Sequence, residues 1–206
     1  MSATMATMAT AKQAALRARH AALLVCDVQE RFRPILFGGE PAIAATRLAV
    51  RGACALDVPV VVTEQYPKAL GRTVSDVREC LPEGTRTYEK LRFSMCTDDV
   101  REELRRLRVS QVLLCGVEAH VCVVQTALDL LRDGVDVHLL VDAVTSQRSL
   151  DRAVAVRRMV RAGCVPTTVE MALFEMLGEA SGDTFKAISK LVREARPSYP
   201  PEFASL

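Results

Sequence analysis

Six short runs of branched apolar residues, all but the second followed by a segment with helical spacing, divide this sequence. AALLVCDVQ (21–29) stops being apolar at Asp27, and VPVVVTEQ (58–65) is the second run. A shorter run within RTYEKLRFS (86–94) ends near Lys90. QVLLCGV (111–117), DVHLLVDAV (136–144) and VPTTVE (165–170) complete the series. Continuous apolar runs of this length read as strands buried on both faces. The segments between them read as helices. PAIAATRLAVRGACAL (41–56) opens with proline, and 97–108 has Thr97 as N-cap with acids in its first turn. Residues 120–134 end on Gly134. Helices are also expected over 149–164, 171–180 and 185–194, while YPKALGRT (66–73) reads as loop. Strands alternating with helices predict an α/β fold, a parallel sheet covered on both faces. In such sheets ligands bind outside the carboxyl ends of the strands. That rule singles out Asp27, Thr63 to Gln65, Lys90, Gly116 to Cys122, and Asp142.

The chain has 206 residues, half of them hydrophobic, enough for one domain with a sizeable core. Residues 21–195 are expected to form that domain. Residues 1–20 read as a flexible tail and 196–206 as a proline-rich one. The first twenty residues carry Lys12, Arg17 and Arg19 and no acid, which is also the composition of a mitochondrial leader. A cytoplasmic location is the expectation, with a mitochondrial one as the alternative. A net charge of +2, with the basic residues scattered over helix faces, argues against a nucleic-acid partner. No apolar stretch approaches the roughly 20 residues of a membrane span. Seven cysteines at irregular spacings, without CxxC, point to reduced thiols rather than a disulfide scaffold or a zinc site. Neither GxGxxG nor GxxxxGK[ST] occurs, so a nucleotide cofactor is not expected. No other cofactor and no metal are expected.

The strand ends bring three chemical types to one rim: the carboxylate of Asp27, the ammonium of Lys90 and the thiol of Cys122. A thiol attacks as thiolate, a carboxylate can take its proton, and a lysine stabilises both anions. A helix start adds positive potential at the sulfur. Backbone N–H groups around Glu118 and Cys122 could hold a developing oxyanion, and Gly116 would let the chain bend there. Each residue also has a plainer explanation. Cys122 could be a small packing residue, Asp27 a turn cap and Lys90 an ordinary surface lysine.

LLVCDVQERF, VVTEQYPKALG, EKLRFSM and LLCGVEAHVCVVQTALDLLRDG, with VHLLVDAVTSQ, occur in the order seen in the isochorismatase-like cysteine hydrolases. The chain resembles that superfamily from about residue 21 to 194. TEQYP-x-x-LG and GVEAHVC are most similar to its branch of isochorismatase domain-containing proteins. The resemblance implies a three-layer, Rossmann-like fold with a six-stranded parallel sheet. It implies a catalytic triad of Asp27, Lys90 and Cys122, a cis Val117–Glu118 peptide, and an oxyanion hole from the N–H groups of Glu118 and Cys122. It also implies a homo-oligomer. Two departures bear on substrate. Nicotinamidases of the superfamily bind metal through histidines after the second strand, where this chain has Glu64-Gln65-Tyr66-Pro67. True isochorismatases lack the nucleophilic cysteine, which is present here. The expectation is a metal-independent hydrolase of a small amide or related C–N bond, acting through a thioester on Cys122. A catalytically silent interaction protein is the alternative, and an acyl transferase using the same triad a third reading. Gln65, Tyr66, Phe32, Phe93 and His120 are the candidate substrate contacts, although His120 could instead hold the helix start and the aromatics could be rim packing.

Overall fold

A computed structural model describes residues 15–195 and 197–204 of the chain. The strands are β1 (Ala21–Cys26), β2 (Val60–Gln65), β3 (Thr87–Lys90), β4 (Gln111–Gly116), β5 (Asp136–Val144) and β6 (Val165–Thr167). They pair in the order β3-β2-β1-β4-β5-β6, every pair parallel. Parallel neighbours need crossover connections. These are α1 (Gly39–Ala55), α2 (Pro67–Leu70), α3 (Ser75–Arg78), α4 (Asp98–Arg106), α5 (Val124–Arg132) and α6 (Ser149–Ala162), followed by α7 (Val169–Leu177) and α8 (Gly182–Glu194). The expected three-layer α/β architecture is therefore present.

Successive strand residues feed two cores. Ala22, Leu24 and Cys26 of β1 face one side with Val123, Ala127 and Leu130 of the β4–β5 crossover and Met159 of α6. Ala21, Leu23 and Val25 face the other with Ile43 and Val50 of α1, Leu173 of α7 and Ile188 of α8. This period of two explains why the strand runs are apolar throughout: both faces are dry. The strand order reverses between β1 and β4, and that switch point is where such sheets open a crevice.

Several boundaries differ from the sequence-based expectation. α1 starts at Gly39, before the proline, and the stretch expected as loop contains the one-turn helix α2. β2 starts at Val60, two residues into the expected run, and ends with it at Gln65. The chain packs before residue 21: Leu16 is fully buried, its N–H donates to Glu175 Oε1 at 2.9 Å, and Arg17 N–H donates to Gln111 Oε1 at 2.8 Å. Residues 1–14, which carry part of the leader-like composition, lie outside the described residues. At the other end the expected tail also packs, as far as it is described. Phe203 is 7% exposed, with Tyr199 and Phe37 rings at 5.4 and 5.9 Å and the Arg152 guanidinium 3.8 Å above it. Aromatic burial at these positions outweighs the prolines' reading as tail. Among the described residues, no helix is long and apolar enough to cross a membrane.

Candidate active site

Asp27 is the first residue past β1 and has a left-handed backbone (φ 50°). Aspartate tolerates that region better than most residues. The turn breaks the strand's alternation, so the carboxylate lies beside the thiol of its own neighbour. Cys26 Sγ is 3.6 Å from Asp27 Oδ2. The same oxygen accepts from Lys90 Nζ at 2.6 Å, and Thr63 Oγ1 donates to Oδ1 at 2.8 Å. Neither charged side chain is exposed. A buried charge demands this degree of pairing.

Lys90 closes β3, two strands away from β1. Its three ammonium protons find four oxygens: Asp27, Gln65 Oε1 at 2.8 Å, and the carbonyls of Phe93 at 2.8 Å and Arg92 at 3.2 Å. Burial works against the ammonium. The Asp27 charge and the hydrogen bond to it, with the polar sulfurs of Cys26 and Cys122, outweigh that penalty and raise its pKa. The lysine therefore stays a cation across the physiological range. Gln29, 1% exposed, holds this corner together. Its amide donates to the carbonyls of Gln65 at 3.0 Å and Gly71 at 2.7 Å and accepts from Gln65 N–H at 2.8 Å.

Cys122 reaches the same place from β4. The crossing requires Gly116 (φ 122°), because a Cβ there would lie 2.1 Å from the carbonyl oxygen of Cys26. Val117 N–H then donates to that carbonyl at 2.8 Å, and the Val117–Glu118 peptide is cis. A π turn over Ala119–Val123 follows and runs into α5. Cys122, 5% exposed, sits in that turn and packs in the same core as Cys26. Burial, the neighbouring Cys122 side chain and the Asp27 charge push the Cys26 thiol well up, against the pull of Lys90. Cys26 is therefore a neutral thiol beside the Asp27 carboxylate.

The β5–α6 connection fixes the π turn. Thr145 O accepts from Ala119 N–H at 2.8 Å. Gln147 donates to the Glu118 carboxylate from its backbone at 2.9 Å and its amide at 3.1 Å. His120 Nδ1 lies 3.1 Å from Ser146 Oγ. On the other side, Thr126 Oγ1 donates to Cys122 O at 2.7 Å and accepts from Met95 N–H at 2.9 Å.

The structure thus brings Asp27, Lys90 and Cys122 to the β1/β4 switch point. Glu118 is next to them, with its carboxylate turned to Gln147. Gln65, expected to meet substrate, spends its side chain on Lys90 and on Leu91 O at 2.9 Å. His120 is exposed and bonded to Ser146. Tyr66 and Phe93 are 48% and 51% exposed, and Phe32 is half-buried in the turn after β1. Cys26, Gln29, Thr145 and Gln147 were missed as site residues. Gln29 had a usable signal, a buried-strand end followed by an amide in CDVQ; the contacts of Thr145 and Gln147 are made across the fold and leave none. Among the described residues, no cluster of three or more histidine, cysteine or acidic side chains could hold a metal.

The isochorismatase domain model matches residues 21–171. A secreted isochorismatase effector, Isc1, from Phytophthora sojae is 44% identical over 84% of this chain and 84% of its own length. Isochorismatase domain-containing protein 2 of Bos taurus is 42% identical, over 85% of this chain and 84% of its own. A solved structure described as the MAR1 ribonuclease of Caenorhabditis elegans superposes with a TM-score of 0.87 at 39% identity, covering 91% of this chain and 97% of that one. Family model, relatives and fold agree over the region that builds the switch-point site, and the chain belongs to the isochorismatase-like hydrolase family, with the isochorismatase domain-containing proteins among its relatives.

Proposed function

We propose that this protein is a cysteine hydrolase of a small amide or related C–N bond, with Cys122 as nucleophile, Asp27 as acid/base and Lys90 as electrostatic stabiliser. The observation that carries it is the buried Asp27–Lys90 pair at 2.6 Å at the strand ends where the turn before α5 delivers Cys122. A structural ion pair gains little from being buried. One placed beside a thiol supplies both a base and a fixed cation.

Asp27 takes the Cys122 proton, and the thiolate adds to the substrate carbonyl. The N–H groups of Glu118 and Cys122 hold the resulting oxyanion, in a turn fixed by Thr145 and Gln147. Asp27 then hands its proton to the leaving nitrogen, and a water it deprotonates hydrolyses the thioester. Lys90 holds the Asp27 carboxylate in place and stabilises the thiolate. Tyr66, Phe93 and Phe32 would line the entrance, and His120 would stand at its edge. The active unit would be a homo-oligomer.

A second reading, a silent fold used for protein contacts, draws on the exposed Tyr66, Leu91 and Phe93 beside the site. Alkylation of all seven cysteines, read residue by residue from pH 5 to 9, separates the two. Cys54 is exposed and its thiol is raised mainly by burial, so it is the internal control. An activated Cys122 outpaces Cys54 below pH 7 despite its 5% exposure and loses that lead in Asp27→Asn. A Cys122 no faster than Cys54 refutes the enzyme reading. An amide library, with an RNA substrate as a second arm, then assigns the reaction class.

A further inference from the structure

The catalytic mechanism leaves one buried thiol at the centre of the site without a role. Cys26 is fully buried, lies 3.6 Å from the carboxylate oxygen that also holds Lys90, and packs in the same core as Cys122. The backbone enforces this proximity. Cys26 pairs with Gly116 in the β1–β4 ladder, and its carbonyl accepts from Val117 N–H at 2.8 Å. Both cysteines belong to the same core on one side of the sheet. None of the other five thiols shares this site: Cys115 lies in the opposite core, Cys96 bonds the Thr126 carbonyl, Cys164 follows α6, and Cys54 and Cys80 lie near the outer surface.

We infer that Cys26 is the resolving thiol for Cys122, so that oxidation of the nucleophile by a peroxide ends in a reversible Cys26–Cys122 disulfide rather than in sulfinic acid. The inference rests on the reading of Cys122 as a reactive thiol. In the first step the Cys122 sulfur attacks one oxygen of hydrogen peroxide. The O–O bond breaks, hydroxide leaves and takes up the thiol proton as water, and Cys122 becomes a sulfenic acid. In the second, Cys26 gives its proton to Asp27 Oδ2 and attacks the Cys122 sulfur. The S–O bond breaks, and the departing hydroxide recovers the proton from Asp27 as a second water. Two thiols lose two electrons and one peroxide becomes two waters. The two sulfurs join at the bonding distance of about 2.05 Å. The burial that keeps solvent peroxide from Cys26 does not matter, because only Cys122 meets the oxidant. Sulfinic acid is a dead end for the thiol, so a resolving partner preserves the nucleophile.

The test is mass spectrometry of the full chain treated with hydrogen peroxide, blocked with N-ethylmaleimide and digested without reduction. The expected product joins the tryptic peptide HAALLVCDVQER to VSQVLLCGVEAHVCVVQTALDLLR, with fragmentation placing the link on Cys122 and not Cys115. Dithiothreitol should remove it and restore alkylation at Cys122. In Cys26→Ser, Cys122 should advance instead to sulfinic acid that dithiothreitol does not reverse. Cys122 reaching sulfinic acid in the native chain while Cys26 stays free overturns the inference and leaves the nucleophile reading standing. A Cys122 that remains a free thiol while Cys54 is oxidised overturns both. The native-chain measurement decides the matter even where the serine variant does not fold.

Discussion

The Asp27–Lys90 pair allows a prediction whose size follows from the hydrogen-bond inventory. Lys90→Met keeps the aliphatic bulk and removes the charge. Asp27 would then retain only the Thr63 hydroxyl and the Cys26 thiol as partners, inside a site with no exposure of either charged side chain. Stripping one partner from a buried pair costs about 3–5 kcal/mol, and this arrangement belongs at the upper end. Asp27→Asn is milder. Lys90 keeps three neutral oxygens, from Gln65, Arg92 and Phe93, so the cost should be about 3 kcal/mol. The double variant leaves no uncompensated charge and should cost no more than the harsher single one. The cycle therefore gives a coupling of about 3 kcal/mol. With a urea slope of about 2 kcal/mol/M, Lys90→Met lowers the unfolding midpoint by roughly 2 M, and the double variant recovers part of the sum of the two losses. The assay is equilibrium urea unfolding at pH 8, followed by fluorescence-independent far-UV dichroism because the chain has no tryptophan, at one protein concentration so that self-association does not shift the midpoint. Additive losses within about 0.5 kcal/mol, or a Lys90→Met cost below about 1 kcal/mol, would refute the reasoning, since the pair would then not be a coupled buried unit.

Two further outcomes follow from particular contacts. Gly116→Ala should prevent folding or cost more than about 4 kcal/mol, because its Cβ would lie 2.1 Å from Cys26 O at a φ of 122°. Gly134→Ala, at φ 77° in open space, should cost only about 1–2 kcal/mol by chemical denaturation. Equal losses at the two glycines would show that backbone strain, not the β1–β4 approach, governs position 116. Asp142 accepts twice from Val169 N–H, at 3.0 and 3.1 Å, and faces Tyr199 and Arg152; burial pushes its pKa from 3.8 up to about 6. A carboxyl raised in the folded state binds more protons there than when unfolded. Its contribution is therefore fully present below pH 3.8 and falls as pH rises to about 6. The stability of Asp142→Asn relative to the parent should rise over that window and level off above it. A difference independent of pH contradicts the assignment.

What the sequence made readable, and what it did not, divides along a physical line. Asp27, Lys90 and Cys122 fall among the residues at or beyond the strand ends, which a parallel sheet sends to one rim. Spacing left a plainer reading open for each, and the resemblance to the isochorismatase-like hydrolases is what singled them out as a triad. Thr145 bonds Ala119, Gln147 bonds Glu118 and Thr126 bonds Met95, residues 26, 29 and 31 positions apart, with no period to announce them. The packing of Leu16 and Phe203 was hidden for a related reason: both sit in stretches whose small, polar or proline-rich neighbours read as tail, while one aromatic or leucine finds its pocket in tertiary structure. Cys26 is the most instructive case. By the two-residue period of a strand, Cys26 and Asp27 should point to opposite faces, so a reader of the sequence assigns one to the core and the other to the site. The left-handed turn at Asp27 cancels that alternation and sets thiol and carboxylate side by side. One backbone dihedral thus converts an apparent packing residue into a member of the reactive centre. Because Gly116 lets β4 pass close against the same carbonyl, the second cysteine arrives on that side as well. The thiol pair is consequently a product of the switch-point backbone, in which the turn at Asp27 and the close approach at Gly116 act together.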